Sequence, residues 1–290
     1  RTNVSGYMST VRNYYFKPSK LLNTTGHTEG YDKTQLGYNW LNENYLSYDR
    51  SIREHTFSLM LGNSTQAWVS EVAQVRGQDY STDYIWTLNN ASVFKTGDNY
   101  SEQEKHALAS FFFRGTYNWK SRYLFAGNIR YDGSSRFAQN KRWGFFPSAS
   151  VGWRFSDESF MSWSKPFLDD AKLRLSYGIT GNEDIGNYAS WPQYSSVGVY
   201  NGVGGLAPNL TYAELGWERT EQFNIGADFT MLDNRITLGF DWYEKNTTDL
   251  LYDVEVPKEI GYGSMTRNVG AMQNRGVELA LHADLIRGKE

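Results

Sequence analysis

The chain has no cysteine, which excludes a disulfide framework and any thiol or Cys-ligated metal chemistry. It holds no uninterrupted apolar run of about 18 residues, so no transmembrane helix is expected. Its amino terminus, Arg1-Thr2-Asn3-Val4, lacks the hydrophobic core of a signal peptide, and the expectation is a mature chain or a piece of something longer. No Pro- or Ser-rich linker divides the sequence into two regimes. A formal charge of -3 argues against a general nucleic-acid binder, which would carry a basic stripe.

Chemistry-bearing patterns are equally scarce. His27, His55, His106 and His282 are scattered without a paired metal-ligand spacing. Asp157-Glu158, Asp169-Asp170 and Glu183-Asp184 are adjacent acids, which in a strand point to opposite faces and at a helix start are simply favourable. Gly202-Val203-Gly204-Gly205 lacks the strand-then-helix setting of a phosphate loop. No catalytic residue, metal site or cofactor is expected.

What the chain does have is aromatic side chains, 16% of its 290 residues, with Tyr 21, Phe 16 and Trp 10. Its mean hydropathy is nevertheless -0.61. Alternating strands reconcile the two facts, because half of each strand is polar. From Tyr123, the residues Phe125, Ile129 and Tyr131 share one parity while Asn128 and Arg130 hold the other. Pro147, Ala149, Val151, Trp153 and Phe155 do the same against Ser148, Ser150, Gly152 and Arg154. Each half is a strand with one apolar and one polar face, and the loop from Asp132 to Phe137 joins them.

The same unit recurs along the chain. Val4–Phe16, Gln35–Asp49, Phe57–Leu61, Phe111–Trp119, Leu173–Ile179, Phe223–Met231, Ile236–Trp242 and Asn268–Leu285 all read as strands. The stretch from Gln66 to His106 reads as a long loop with a short helix near Ser70, and Ser156 to Asp170 as a helical turn opened by Ser156. Strands of about ten residues match a tilted membrane crossing. Short connections near residues 50, 120 and 233 alternate with long ones at 17–34, 66–106, 132–142, 180–220 and 247–265. That asymmetry belongs to an all-β, transmembrane, antiparallel up-and-down β-barrel. A soluble β-sandwich would also alternate, but its inner face would be dominated by Val, Ile and Leu. Here Trp119, Tyr123, Tyr131, Trp153, Phe155 and Trp242 stand near strand ends, as in an aromatic girdle.

Several motifs in order carry a resemblance. Arg130-Tyr131-Asp132-Gly133-Ser134-Ser135-Arg136-Phe137 is followed by Arg142-Trp143-Gly144-Phe145-Phe146-Pro147-Ser148-Ala149-Ser150-Val151-Gly152-Trp153. Then come Leu173-Arg174-Leu175-Ser176-Tyr177-Gly178, Thr180-Gly181-Asn182 and Phe223-Asn224-Ile225-Gly226. Thr266-Arg267-Asn268-Val269-Gly270 and Asn274-Arg275-Gly276-Val277-Glu278-Leu279 complete the set. Together they closely resemble the SusC/RagA family of TonB-dependent transporters of Gram-negative outer membranes.

The resemblance is specific from Ser110 to Leu285 and thin before it; Pro208 to Thr220 departs from the family pattern until Trp217-Glu218. It implies that residues 1–290 are part of a barrel of about 22 strands, with about ten present here. The family's plug domain and last strands are absent from this chain. It also implies a multi-pass protein of the outer membrane, in contact with its lipid, that imports a glycan oligosaccharide or a peptide. A SusD-like surface lipoprotein and the TonB-ExbB-ExbD complex, acting through the plug, would be its partners, with no nucleic acid. A passive porin-like or structural barrel, and a soluble carbohydrate-binding β-sandwich, are the competing readings.

Two groups of residues are candidates for the site. Trp86, Trp191, Tyr194, Tyr200 and Tyr262 lie in long connections, with Tyr84 beside Trp86, and are expected to stack on sugar rings or to grip a lid protein. Asp132, Gly133, Ser134, Ser135, Arg136 and Phe137 form the family's structural motif. In that motif Gly133 is expected to supply a tight turn, while Arg136 pairs across strands and ties loop carbonyls together at the rim.

Overall fold

The computed structural model describes residues 1–21, 27–95, 97–200, 203–208, 210–212, 214–257, 259 and 263–284. Its strands are β1 (Thr2–Lys17), β2 (Glu29–Ile52), β3 (His55–Tyr80), β4 (Ala91–Val93), β5 (Tyr100–Trp119), β6 (Tyr123–Ser134), β7 (Trp143–Arg154) and β8 (Leu168–Asn182). They continue as β9 (Tyr194–Tyr200), β10 (Val203–Pro208), β11 (Glu218–Met231), β12 (Ile236–Thr248), β13 (Leu251–Glu255), β14 (Ser264–Asn268) and β15 (Ala271–Ala283). One sheet runs β1-β2-β3-β5-β6-β7-β8-β11-β12-β15, with β4 on β3, so each long strand pairs with the long strand next to it in sequence. The hairpins β9–β10 and β13–β14 stand apart from it. This is the expected up-and-down antiparallel architecture. Among the described residues the sheet is not closed: β1 and β15 each end the strand order.

The short reversals are built on residues with left-handed backbone. Lys120 and Ser121 have φ of 59° and 54°, the pair of positive angles that matches a two-residue hairpin turn to strand twist. Leu232, Asp233 and Asn234 lie at 57°, 57° and 59°, and the Asn234 amide donates to Asp169 Oδ2 at 2.9 Å.

Several long connections contain more strand than their sequence suggests. The stretch 66–106, expected as a loop with a helix at Ser70, is β3 as far as Tyr80 and β5 from Tyr100, and Ser70 is buried within β3. A tilted crossing uses about ten residues, whereas β3 has 26. Beyond the crossing neither face must be apolar, so Glu71 and Val72 break the parity that Gln74, Arg76 and Gln78 keep against Ala73 and Val75, while the strand continues. The 247–265 loop likewise holds the β13–β14 ladder, Leu251 opposite Asn268 and Glu255 opposite Ser264. Left-handed Asp249 and Gly270, with φ of 55° and 77°, flank it. The turn expected at Ser156 is two 3-10 segments, Phe155–Asp157 and Ser159–Ser164. Neither has a side-chain cap: the capping positions are Arg154 and Glu158, and Ser156, inside the first segment, donates its hydroxyl to Asp170 Oδ1 at 3.1 Å.

The chain divides into two compact units, which share the long strands β2, β3 and β5. One comprises Arg1, Asn44–Ser64 and Leu108–Glu290. In it, register converts strand alternation into rows that run across the sheet. Tyr117, Phe125, Val151, Leu175, Ile225, Trp242 and Val277 are successive partners on the apolar face. Tyr117 and Trp242 are half-buried and the other five are exposed rather than packed under a second layer, with Val151 at 42% and Ile225 at 44%. Below that row Trp119, Tyr123 and Trp153 form a belt, with Trp119 and Tyr123 stacked at 5.2 Å. Above it Phe111, Tyr131 and Phe145 form another, with Tyr131 stacked on Trp143 at 4.8 Å. From Trp119 to Phe111 is about 26 Å along the strand at roughly 3.3 Å per residue.

The second unit is Thr2–Glu43 with Thr65–Ala107. Tyr15 stacks on Tyr31 at 5.4 Å, Phe16 meets Tyr80 edge-on at 5.0 Å, and Arg12 is paired with Asp32.

Candidate functional site

The polar face of the first unit is lined by short hydrogen-bonding side chains. Arg114, Asn128, Ser148, Ser150, Gln222 and Asn224 border an open cavity of about 430 Å³. Nearer the short turns, the polar face carries a charge cluster. Arg174 donates through Nε and Nη2 to Asp228 at 2.7 and 2.9 Å, and through Nη2 to Asp241 at 3.1 Å. Lys172 lies 3.5 Å from Asp228. Gly226 gives this bridge its space, because a Cβ there would stand 2.9 Å from the Arg174 guanidinium carbon. Sequence reading passed over this cluster, although Arg174, Asp228 and Asp241 all have the polar parity of their strands.

At the long-loop end, a small apolar core holds the connections together. The β7–β8 ladder stops at Ser148 opposite Gly178, although β7 begins at Trp143 and β8 continues to Asn182. The Trp217 ring packs against Phe146 at 5.2 Å and Phe137 at 4.9 Å. Phe137 and Leu215 are fully buried. Trp217 Nε1 donates to the Arg142 carbonyl at 2.9 Å, and the Ala138 amide to the Leu215 carbonyl at 3.2 Å. Gly144 and Gly181 both leave the Phe146 ring its room, since a Cβ at either would collide with it. On the other flank the Asn268 side chain clasps Gly216, accepting from its amide and donating to its carbonyl, both at 2.8 Å.

The Asp132–Phe137 motif sits inside this assembly. Gly133 is not a turn residue: it lies in β6, opposite Ala109 and Trp143, and a Cβ there would meet the Trp143 ring at 2.7 Å. The turn comes later because Asp132, Gly133 and Ser134 still pair with β5. Asp132 is buried and accepts from Arg130 Nε and Nη2 at 3.1 and 3.0 Å; Ser134 is fully buried. Ser135 follows at the turn. Arg136 bonds a loop rather than a strand, donating to Asn187 Oδ1 and to the Glu183 carbonyl, each at 3.1 Å. Ser190 returns a hydrogen bond to the Arg136 carbonyl at 2.8 Å.

The loop aromatics divide among these supports. Trp191 follows the anchored Ser190, donates its amide to Tyr188 at 2.8 Å and leaves its ring half exposed. Tyr194 opens β9 opposite Pro208 and is 68% exposed; Tyr200 closes that strand opposite Val203. Tyr262 lies outside the described residues. Trp86 belongs to the second unit, where its ring meets Tyr14 edge-on at 4.9 Å and its carbonyl accepts from the Tyr14 hydroxyl. Its loop is stapled by Asp83, which accepts from the Ser19 hydroxyl and amide at 2.5 and 2.9 Å. Those two bonds hold the Asp83 carboxyl below the usual aspartate range. Tyr84 beside it is almost wholly exposed.

At the short-turn end, Glu158 gathers the polar tips of the lower belt. Its carboxylate accepts from the Tyr123 hydroxyl at 2.5 Å, from Trp153 Nε1 at 3.1 Å and from Arg122 at 2.9 Å. The Tyr123 and Trp153 hydrogen bonds, then the Arg122 charge, hold its pKa below the ordinary glutamate value.

An uncovered apolar face bounded by two aromatic belts, opposite a polar face, defines a section of outer-membrane β-barrel wall. In a soluble sandwich that apolar face would be the packed core. Among the described residues, no helix is long and apolar enough to cross a membrane. The family described as "TonB dependent receptor-like, beta-barrel" matches residues 2–287, and the chain belongs to it. It is 38% identical over 277 residues, 94% of this chain, to TonB-dependent receptor P39 of Formosa agariphila, covering 27% of that protein. With TonB-dependent receptor SusC of Bacteroides thetaiotaomicron it shares 34% identity over 270 residues, 89% of this chain and 26% of the relative. The solved RagAB peptide importer in its "closed-closed" state superposes with a TM-score of 0.90 at 26% identity, over 99% of this chain and 32% of that one. The SusC/RagA resemblance and the outer-membrane location thus stand. The chain spans about a quarter of the length of the curated relatives it matches.

Proposed function

We propose that this chain forms part of the barrel of an outer-membrane transporter that imports a large nutrient with energy delivered through TonB. The observation that carries the reading is the two-faced wall: a largely exposed apolar row from Tyr117 to Val277 backed by a face of Ser, Asn, Gln and Thr. Such a wall separates lipid from a watery passage wide enough for an oligomer. A plug in the remaining part of the protein closes that passage, and a SusD-like surface lipoprotein covers its outer mouth. The cargo is a short peptide or an oligosaccharide. The high superposition on a peptide importer supports the peptide. Trp86, Trp191, Tyr194, Tyr200 and Tyr262 are the contacts offered to cargo or lid, since aromatic rings bind flat apolar surfaces and sugar faces; Trp86, Trp191 and Tyr194 are exposed.

The test is uptake of labelled peptide and oligosaccharide mixtures by cells carrying the full-length protein, with and without TonB. Uptake of one class that disappears without TonB is expected. Uptake that persists unchanged would select a passive porin-like barrel instead. Amide exchange on the intact complex should find residues 183–217 protected, and removal of the lipoprotein should release them.

A further inference from the structure

The polar face of the first unit treats its basic residues in two ways. Arg130 is paired with Asp132, Arg154 with Asp170, and Lys172 and Arg174 with Asp228. Arg114 and Lys245 have no acidic partner among the described residues. Both stand in one cross-strand row: Arg114 opposite Asn128, Asn128 opposite Ser148, Ser148 opposite Gly178, Gly178 opposite Gln222, and Gln222 opposite Lys245. That row holds two cations and no acid, in a chain whose net charge is -3.

Arg114 lies between the two belts, nearer Phe111 than Trp119. The residue is exposed on the polar face, so its guanidinium is open to whatever enters the passage. Its surroundings supply donors but no anion: the Asn128 amide and the Ser148 and Ser150 hydroxyls line the same 430 Å³ cavity. Gly178 deepens the cavity, because a Cβ there would stand 3.0 Å from Ser148 Cβ. A planar guanidinium flanked by an amide and hydroxyls is a receptor for a carboxylate, which it can hold through two parallel N–H···O bonds.

We propose that Arg114, with Asn128 and Ser148, is a carboxylate-binding site on the passage wall. The carboxylate comes either from another part of the full-length protein that fills the passage or from an acidic cargo. The inference rests on the transporter reading for its setting, but its test does not need transport.

The full-length protein carrying Arg114→Lys, checked for folding by heat-modifiable gel mobility, is treated with a water-soluble carbodiimide. The reaction condenses the new amine with a seated carboxylate and gives an amide bond. It is run alone and with an added hexaglutamate peptide, and mass spectrometry identifies the linked residue. The expected result is a cross-link at position 114 at least tenfold above that at Lys165, an exposed lysine outside the cavity. A link to an Asp or Glu elsewhere in the protein identifies the internal source. A link formed only with hexaglutamate identifies acidic cargo. No enrichment in either arm overturns the site. Should Arg114→Lys fail to fold, phenylglyoxal labelling of the unaltered protein serves: a carboxylate on Arg114 should slow its modification several-fold relative to Arg50. Equal rates, with and without hexaglutamate, overturn the site. Uptake is scored separately, so loss of TonB-dependent transport with the cross-link intact would refute the function and leave the site standing.

Discussion

At the scale of single residues, parity along a strand decides what a substitution does. Val151 points from the apolar face and Ser150 from the polar one, although they are neighbours. Val151→Arg near mid-depth should cost about 2–4 kcal/mol, while Ser150→Asn should be nearly silent. Heat-modifiable mobility of the full-length protein under rising denaturant would check this; equal tolerance of both would refute the face assignment. Glu158 carries a pH signature. Its folded pKa is depressed, so its stabilising contribution is complete above the unfolded value and is lost as pH falls through the folded one. The stability gap between wild type and Glu158→Gln should therefore be widest above about pH 5 and shrink on acidification below the ordinary glutamate pKa of about 4.3. Denaturant midpoints measured from pH 3 to 7 would show it; a gap that does not change with pH would contradict it.

At the scale of elements, legibility followed the bilayer. Where a strand crosses hydrocarbon, one face must be apolar, and Phe125, Val151, Leu175 and Ile225 wrote that requirement plainly. Residues 66–80, 251–255 and 264–268 lie under no such rule, so the parity slips at Glu71 and Val72 and the two short strands hold too few residues to show a period. Gly133 misled for a different reason. A glycine before Ser-Ser suggests a turn, yet its missing side chain serves the Trp143 ring packed over it. The candidate loop aromatics were visible as composition alone. Their anchors were not, because Phe146, Trp217 and Leu215 are distant in sequence and meet only where the β7–β8 ladder ends. That core carries its own prediction. Phe146 is buried, and Phe146→Ala should cost about 3–5 kcal/mol locally. Limited proteolysis should then cut within 135–142 and 183–217 while the strands stay protected; unchanged cleavage would mean that the core does not hold these loops.

At the scale of the whole molecule, the open ends of the sheet dominate. β1 and β15 each present a row of unpaired backbone groups among the described residues, and hydrocarbon offers them no hydrogen bonds. Residues 1–290 produced alone should aggregate in detergent, and a monodisperse, heat-modifiable species would contradict this. The two aromatic belts have a further consequence. Their separation is a gauge fixed by covalent geometry: eight residue steps from Trp119 to Phe111 cannot stretch. Placed in lipids with longer acyl chains, the protein must thin the bilayer around it, at a fraction of a kcal/mol for each Å of hydrophobic mismatch. The complete barrel should thus be most stable in short-chain lipids, and its melting temperature should fall steadily as the acyl chains of the host membrane lengthen.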